Sequence, residues 1–502
     1  MPYPLTKYCT KYLTKLGSGY HFPYSAGRLP QFSLRHTFKS DPEVYSIILE
    51  EQTRQKECLE LIASENFPPP SVLQPLSSVL VNKYSEGQPN ARYYSGNKNI
   101  DKLELLCQSR ALDLYDLDET AWGVNVQALS GTPANMAVYT ALLTPGTGRI
   151  MGLSLSSGGH LSHGHKICMK DGGVKPISGA SIYFDTEGYD VDPDTGMIDY
   201  GDVERRAKAF KPHILVCGGS AYPRHIDYAR MRSIADSIST ADHQCLLLTD
   251  MSHISGLIAA NCSDSPFPYS DVVTSTTHKT LRGPRSGLIF SRRRLKERID
   301  RGVFPGMQGG PHNNQIGGVA VALKLAKTDN FKEYGEQVVA NAKALGVELV
   351  RRGFTLSSGG TDNHLLLIDI RTSGLTGAKV QEVLELCGLT TNKNSLPSDT
   401  SAVNPGGVRV GTAALTSRGM KETEMVKVAG WIQKGVDIGK RIQDGIRDRK
   451  RETDGGGEKG TNKVTFKDFA LECEQDKDVE TVREEVKQFA RKWYLPGEEM
   501  QE

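Results

Sequence analysis

Between about Trp122 and Phe290 the chain alternates short, β-rich apolar runs with segments of helical spacing. Ile214-Leu215-Val216-Cys217, Cys245-Leu246-Leu247-Leu248, Val272-Val273-Thr274 and Leu288-Ile289-Phe290 show no polar alternation, as strands buried on both faces do. Their alternation with helices predicts an α/β layer around a mostly parallel sheet. Upstream, Val44, Ile47 and Ile48 recur at helical spacing behind Ser40-Asp41-Pro42-Glu43, which reads as a capping box with Pro near the first helical position. That helix leads into Leu61-Ile62-Ala63-Ser64-Glu65-Asn66. Beyond about Leu325 a helix, the strand Leu365-Leu366-Leu367-Ile368 and further helices predict a smaller α+β unit. Val479, Val482, Val486, Phe489 and Trp493 mark a late amphipathic helix whose apolar stripe packs into a core. A polar stretch around Gly455-Gly456-Gly457 is expected to form a flexible surface loop. The expected division is a leader at 1–39, an N-terminal helical arm at 40–75, a large domain at 76–325 and a small domain at 326–502. The small domain carries the Gly-rich insertion at 453–463.

The leader stands apart in charge. It contains no Asp or Glu, while Lys7, Lys11, Lys15, Arg28, Arg35 and Lys39 contribute six positive charges; the rest of the chain is therefore +2 − 6 = −4. Lys7, Lys11 and Lys15 share one helical side, with Leu5, Tyr8, Tyr12 and Leu16 on the other. An acid-free, basic, amphipathic segment is the pattern of an organelle transit peptide, with mitochondrion preferred and plastid or cytosol as alternatives. The other reading is a basic arm that stays on the protein. Across all 502 residues the net charge of +2 argues against a dedicated nucleic-acid binder, and no apolar run reaches membrane-spanning length. Nine cysteines, odd in number and without a C-x-x-C pair, read as free thiols in a reducing compartment.

Ligand sites on parallel sheets lie at the carboxyl ends of the strands. There, Asp250 follows Cys245–Thr249, with His253 three residues on, and the next strand runs into Thr276-Thr277-His278-Lys279-Thr280. A carboxylate at one strand end and a lysine at the next, 279 − 250 = 29 residues later, suit pyridoxal phosphate (PLP) chemistry. The lysine forms a Schiff base with the cofactor aldehyde, and the carboxylate keeps the pyridine nitrogen protonated. Taken singly, the Asp could be a turn former and the Lys a solvated loop residue. Ser130-Gly131-Thr132-Pro133 opens a helix, and its amides and hydroxyls make an anion site or a plain cap. Gly306-Met307-Gln308-Gly309-Gly310 is a second candidate phosphate loop. The run Gly158-Gly159-His160-Leu161-Ser162-His163-Gly164-His165, with Cys168, has imidazoles that could ligate zinc, but no carboxylate lies nearby in sequence, so no metal is expected. A flat imidazole in a Gly-rich loop is equally suited to stacking on an aromatic ring.

Thr276-Thr277-His278-Lys279-Thr280-Leu281-Arg282-Gly283-Pro284-Arg285 resembles the cofactor-lysine signature of the serine (glycine) hydroxymethyltransferase family. Leu61–Phe67, Asn82–Gly87, Arg92-Tyr93-Tyr94, Ser130–Asn135, Gly158–Gly164, Asp250–Leu257, Met307–Pro311, Asn392-Lys393-Asn394 and Arg409–Thr412 are similar to that family in the family's order, from about Ser40 to the C-terminus. The resemblance implies the PLP-dependent fold type I, with a mostly parallel seven-stranded sheet in the large domain and a smaller α+β C-terminal domain. It implies reversible conversion of L-serine and tetrahydrofolate to glycine and 5,10-methylenetetrahydrofolate.

Carried over residue by residue, Lys279 would bind PLP, Asp250 would pair with the ring nitrogen, His160 would stack on the ring, and His253 would contact the phenolic oxygen or the substrate. Ser130, Gly131 and Thr132 would hold the phosphate with Gly310 of a neighbouring subunit, and Ser220 would join the cofactor site. Arg409 would clamp the substrate carboxylate with Ser64, and Arg285, Tyr84, Tyr94 and Glu86 would also face the substrate. Glu86 would shuttle protons, while Tyr93, Leu155, Gly159, Leu161 and Asn394 would meet the folate. Tyr84, Tyr93 and Tyr94 would come from the partner of a homodimer or homotetramer with shared sites. Ser95 stands where the family more often has Gly, Ala413 where Pro is usual, and Thr132 where Ser is common; none removes a catalytic group. A folate-independent PLP aldolase would lack the Glu86/Tyr93 arrangement and Asn394. A binding protein that had lost catalysis would show damage at Lys279, Asp250 or Arg409, and all are intact.

Overall fold

A computed structural model describes residues 40–169, 172–397, 399, 404–453 and 464–498. The leader and the Gly-rich insertion beyond Thr453 lie outside the described residues. Helix α1 (Pro42–Glu57) starts one residue later than the capping-box reading: Asp41, not Ser40, is the N-cap, and its carboxylate accepts from the Val44 amide at 3.0 Å. Pro42 occupies the first turn, where no amide proton is needed.

The large sheet comprises β1 (Trp122–Asn125), β2 (Arg149–Leu153), β3 (Asp185–Tyr189), β4 (Ile214–Cys217), β5 (Leu246–Asp250), β6 (Val272–Thr276) and β7 (Gly287–Arg292). Its seven strands lie in the order β1-β7-β6-β5-β4-β2-β3. All neighbours are parallel except around β7, which runs antiparallel to β6 and β1. The apolar runs are strands because both faces are covered. Ile150, Ile214, Val216, Leu248, Val272 and Ile289 pack beneath α2 (Gly131–Leu142). Met151, Leu215 and Leu247 face Met231 and Ile234 from the opposite side.

The small sheet, β8 (Thr355–Leu356), β9 (Leu365–Asp369), β10 (Asn392–Asn394) and β11 (Gly407–Gly411), is antiparallel in the order β8-β9-β11-β10. Its core takes in Val479, Val482, Val486 and Phe489 of α4 (Lys477–Ala490), the expected amphipathic helix. The long α3 (Asp329–Arg351) ties the two cores together. Phe331, Tyr334 and Val338 sit in the core of the large sheet, while Ala342, Leu345 and Leu349 sit in that of the small one. The N-terminal arm also joins the small core, because Leu59 and Glu60 pair in parallel with Leu389 and Thr390. The cysteines with described side chains are free thiols, and no helix among the described residues is long and apolar enough to cross a membrane.

Candidate active site

The sheet register places Asp250, the last residue of β5, beside Thr274 of β6, so Asp250 and the loop carrying Lys279 emerge at the same sheet edge. That loop is fixed by its own backbone. Gly283 N donates to Thr277 O at 2.7 Å, and Asn66 Nδ2 donates to the Lys279 carbonyl at 2.9 Å. Thr280 Oγ1 donates to the His253 carbonyl at 2.8 Å, locking the Lys279 loop to the loop after β5. Between them opens a cavity of about 360 Å³, partly open to solvent. Ser64, Ser130, Gly131, Thr132, His160, Ser220, Asp250, His253, Lys279, Arg285 and Arg409 all line it.

Asp250 is held by a tight set of donors. Asn135 Nδ2 donates to Oδ2 at 2.9 Å, His163 Nε2 lies 3.1 Å from the same oxygen, and Ser252 N donates to Oδ1 at 3.1 Å. Thr274 Oγ1 in turn donates to Asn135 Oδ1 at 2.7 Å, which sets the amide's orientation. Burial alone would raise this carboxyl, but the His163 hydrogen bond, with the electrostatic pull of His163 and Lys279, keeps it far below the usual carboxylate range. Asp250 is therefore a fixed anion, suited to a cationic ring nitrogen.

Lys279 is pulled down to about 8, first by burial, with Asp250 opposing the shift and Arg409 and Arg285 adding to it. Its amine exchanges protons near neutral pH, as a Schiff-base lysine must. Arg409, on β11 of the small sheet, is lowered to about 10 by burial, with Glu65 opposing. Its Nε donates to Asn392 Oδ1 at 3.0 Å and Nη1 to the Ser220 carbonyl at 2.6 Å, which leaves Nη2 for a carboxylate. His160 is neutral, lowered to about 4 by burial and by His163. Its Nδ1 contacts Ser162 Oγ at 2.7 Å, and that hydroxyl also accepts from Asn135 at 2.9 Å.

The anion cradle sits at the start of α2. Ser130 is the N-cap but makes no side-chain cap bond, so its hydroxyl is not spent on the helix. Gly131 is required there, since a Cβ would meet Thr276 Cγ2 at 2.7 Å. Free amides at a helix start together with the dipole suit a phosphate. Anion cradle, buried amine and fixed carboxylate on one cavity together fit a phosphorylated pyridine aldehyde. The carboxylate that the His160–His165 run lacks in sequence is supplied in space: His160, His163 and Asp250 offer ligand atoms within 4.8 Å of one another. In this arrangement His163 and Asp250 are engaged with each other, and His160 with Ser162.

The remaining expected residues fall elsewhere. Tyr84, Glu86, Tyr93, Tyr94 and Gly310 do not line the Lys279 cavity. They form a separate patch in which Tyr84 and Tyr94 meet edge-on at 5.2 Å and a Cβ on Gly309 would lie 3.0 Å from Glu86 Oε1. Tyr84, Tyr93 and Tyr94 are exposed. Leu155, Gly159, Leu161 and Asn394 also stand outside the cavity wall. Gly159 has no room for a side chain, because a Cβ would sit 1.8 Å from the Leu153 carbonyl oxygen. Asn135, His163, Asn392 and His364 were not anticipated as site residues. The first three lay in segments already singled out, but only the fold shows which of their atoms meet Asp250 and Arg409.

Residues 37–432 match the family model for serine hydroxymethyltransferase. A cytosolic serine hydroxymethyltransferase of Oryctolagus cuniculus is 49% identical over 473 residues, covering 91% of this chain and 93% of its own. A mitochondrial one of Candida glabrata is 47% identical, covering 93% of this chain and 96% of its own. A chloroplastic one of Arabidopsis thaliana is 48% identical, covering 91% of this chain and 84% of its own. By both matches the chain belongs to the serine hydroxymethyltransferase family.

Proposed function

We propose that this chain, a fold type I enzyme, transfers the hydroxymethyl carbon of L-serine to tetrahydrofolate. The products are glycine and 5,10-methylenetetrahydrofolate, and the reaction is reversible. The observation that carries this reading is the convergence of the Asp250 anion, the buried Lys279 amine and the free edge of Arg409 on one cavity. Pyridoxal 5'-phosphate, when bound, supplies an electron sink for the pair left as the serine Cα–Cβ bond breaks. Ser130, Gly131 and Thr132 hold its phosphate, and Asp250 keeps its ring nitrogen protonated. Arg409 orients the substrate carboxylate through Nη2, with Ser64 and Arg285 alongside. Lys279 gives up and regains a proton near neutral pH as the substrate amine enters. His160, neutral and anchored through Ser162, offers a flat face to the ring.

Glu86, Tyr84, Tyr93 and Tyr94 complete the site of a partner subunit in a homo-oligomer, and Gly310 joins the partner's phosphate cradle. The exposure of the three tyrosines, away from this chain's own cavity, supports that arrangement. Glu86 moves the proton of the serine hydroxyl, and Leu155, Gly159, Leu161, Asn394 and Tyr93 receive the folate. The acid-free, basic residues 1–39 serve as a mitochondrial import segment, which a fluorescent reporter fused behind them would reveal by its location. Purified protein loaded with the cofactor should release glycine from serine only when tetrahydrofolate is present. Release independent of folate would favour an aldolase of β-hydroxy amino acids, and no release would reject the reading.

A further inference from the structure

Buried arginines in this fold are satisfied in different ways. The Arg92 side chain meets two carboxylates, Asp101 at 2.8 Å and Glu104 at 2.6 Å. Arg418 has no such partner but spends its donors on five backbone carbonyls. Arg409, buried in the middle of β11, does neither. Its Nε donates to Asn392 Oδ1 and its Nη1 to the Ser220 carbonyl, both neutral acceptors. Among the described residues no carboxylate forms an ion pair with it and Nη2 meets no acceptor. A buried cation with unspent donors is costly unless something completes it.

The sheet register puts Asn392 of β10 directly opposite Arg409. An arginine has donors only, so the atom of Asn392 that faces Nε is the amide oxygen. The other end of that amide is tied down as well, since Nδ2 donates to the Lys393 carbonyl at 2.9 Å. Lys393 N in turn donates to Gln381 Oε1 at 2.9 Å, which fastens this strand to the helix Gly377–Leu386. The guanidinium is therefore braced on Nε and Nη1, and Arg409 lines the cavity with Nη2 uncommitted. An aspartate has nearly the shape of Asn392 and would make the stronger, charge-assisted bond to Nε. It would also cancel the cation.

We infer that Asn392 is a positioning residue that sets the substrate class, because its neutral amide aims Arg409 while leaving the whole positive charge for the α-carboxylate of an amino acid. Ser220 braces the same group through a carbonyl and adds no charge either. With a carboxylate at position 392, the cavity would lose its preference for amines that carry a carboxylate. The inference rests on Arg409 receiving that carboxylate in the proposed function.

The test compares L-serine with 2-aminoethanol, which is serine without its carboxylate. Dissociation constants are read from the change in cofactor absorption as each is titrated into the cofactor-loaded full chain. Wild type should prefer serine. In Asn392→Asp that preference should fall by about tenfold or more, through weaker serine binding, with 2-aminoethanol held within about twofold. Asn392→Ala, which removes the brace without adding a charge, should lose about threefold or more of the preference, and it decides the matter if the Asp variant does not take up the cofactor. A preference unchanged in the variants, or equal weakening of both ligands, would overturn the inference alone. Wild type that binds both ligands alike would refute the role of Arg409 in the proposed function, and this inference with it.

Discussion

Replacing Asp250 with Asn probes the site with almost no change of shape. Oδ2 accepts from both Asn135 and His163, and Oδ1 accepts from Ser252 N. If the oxygen of the introduced amide keeps the first two bonds, its NH2 group must face the Ser252 amide, donor against donor. Such an unsatisfied contact costs about 1–3 kcal/mol. The larger loss is the charge. A carboxylate about 4 Å from a protonated ring nitrogen contributes about 4 kcal/mol at an effective dielectric of about 20. That interaction matters most when the substrate's electron pair enters the ring. At about 1.36 kcal/mol per tenfold, Asp250→Asn should lower kcat by about a thousandfold. The assay is glycine formation from serine and tetrahydrofolate under saturating cofactor, with thermal unfolding of wild type and variant as the folding control. A folded variant that loads the cofactor and keeps kcat within tenfold of wild type would refute the role assigned to Asp250.

Because burial lowers Lys279 to about 8, the rate at which the cofactor-free protein takes up pyridoxal phosphate should rise with pH to a plateau, with a midpoint near 8. A rate still climbing beyond pH 10 would show an ordinary solvated lysine. Burial and the neighbouring Glu60 raise Glu65 to about 7, so its stabilising contribution is complete below the unfolded value of about 4.5 and is lost as pH climbs through about 7. Glu65→Gln should therefore flatten the fall in Tm across that window, and an unchanged pH profile would contradict the assignment. Gly159→Ala must push a methyl group against the Leu153 carbonyl, so it should impair folding or cofactor loading, as visible absorbance and thermal unfolding would show. Leu345→Ala, in the completely buried small core, should cost about 2–5 kcal/mol in denaturant unfolding while leaving cofactor absorbance intact.

The parts of the site legible in the sequence were those set by local pattern. Ile214–Cys217 and Val272-Val273 are apolar because both sheet faces are covered, and that fixes where strands end and hence where Asp250 and Lys279 emerge. What could not be read are contacts between distant elements. Asn135 reaches Asp250 across 115 residues, and His364 reaches His253 across 111. Neither partnership leaves a mark in spacing or composition. The pairing of Leu59 with Leu389, which draws the arm into the small core, is hidden for the same reason. The helix start slipped by one residue because Ser40 and Asp41 are both good caps, and only geometry selects the Asp41 carboxylate. Tyr84, Glu86, Tyr93 and Tyr94 were recognisable by resemblance, whereas their separation from the Lys279 cavity emerges only in three dimensions.

The most direct measurement of the central claim is borohydride reduction of the cofactor-loaded protein, followed by protease digestion and peptide mass spectrometry. The account predicts a single pyridoxyl-phosphate adduct on the peptide carrying Lys279, and none in Lys279→Ala. An adduct on another lysine, or none in wild type that shows the cofactor's visible absorption, would contradict it.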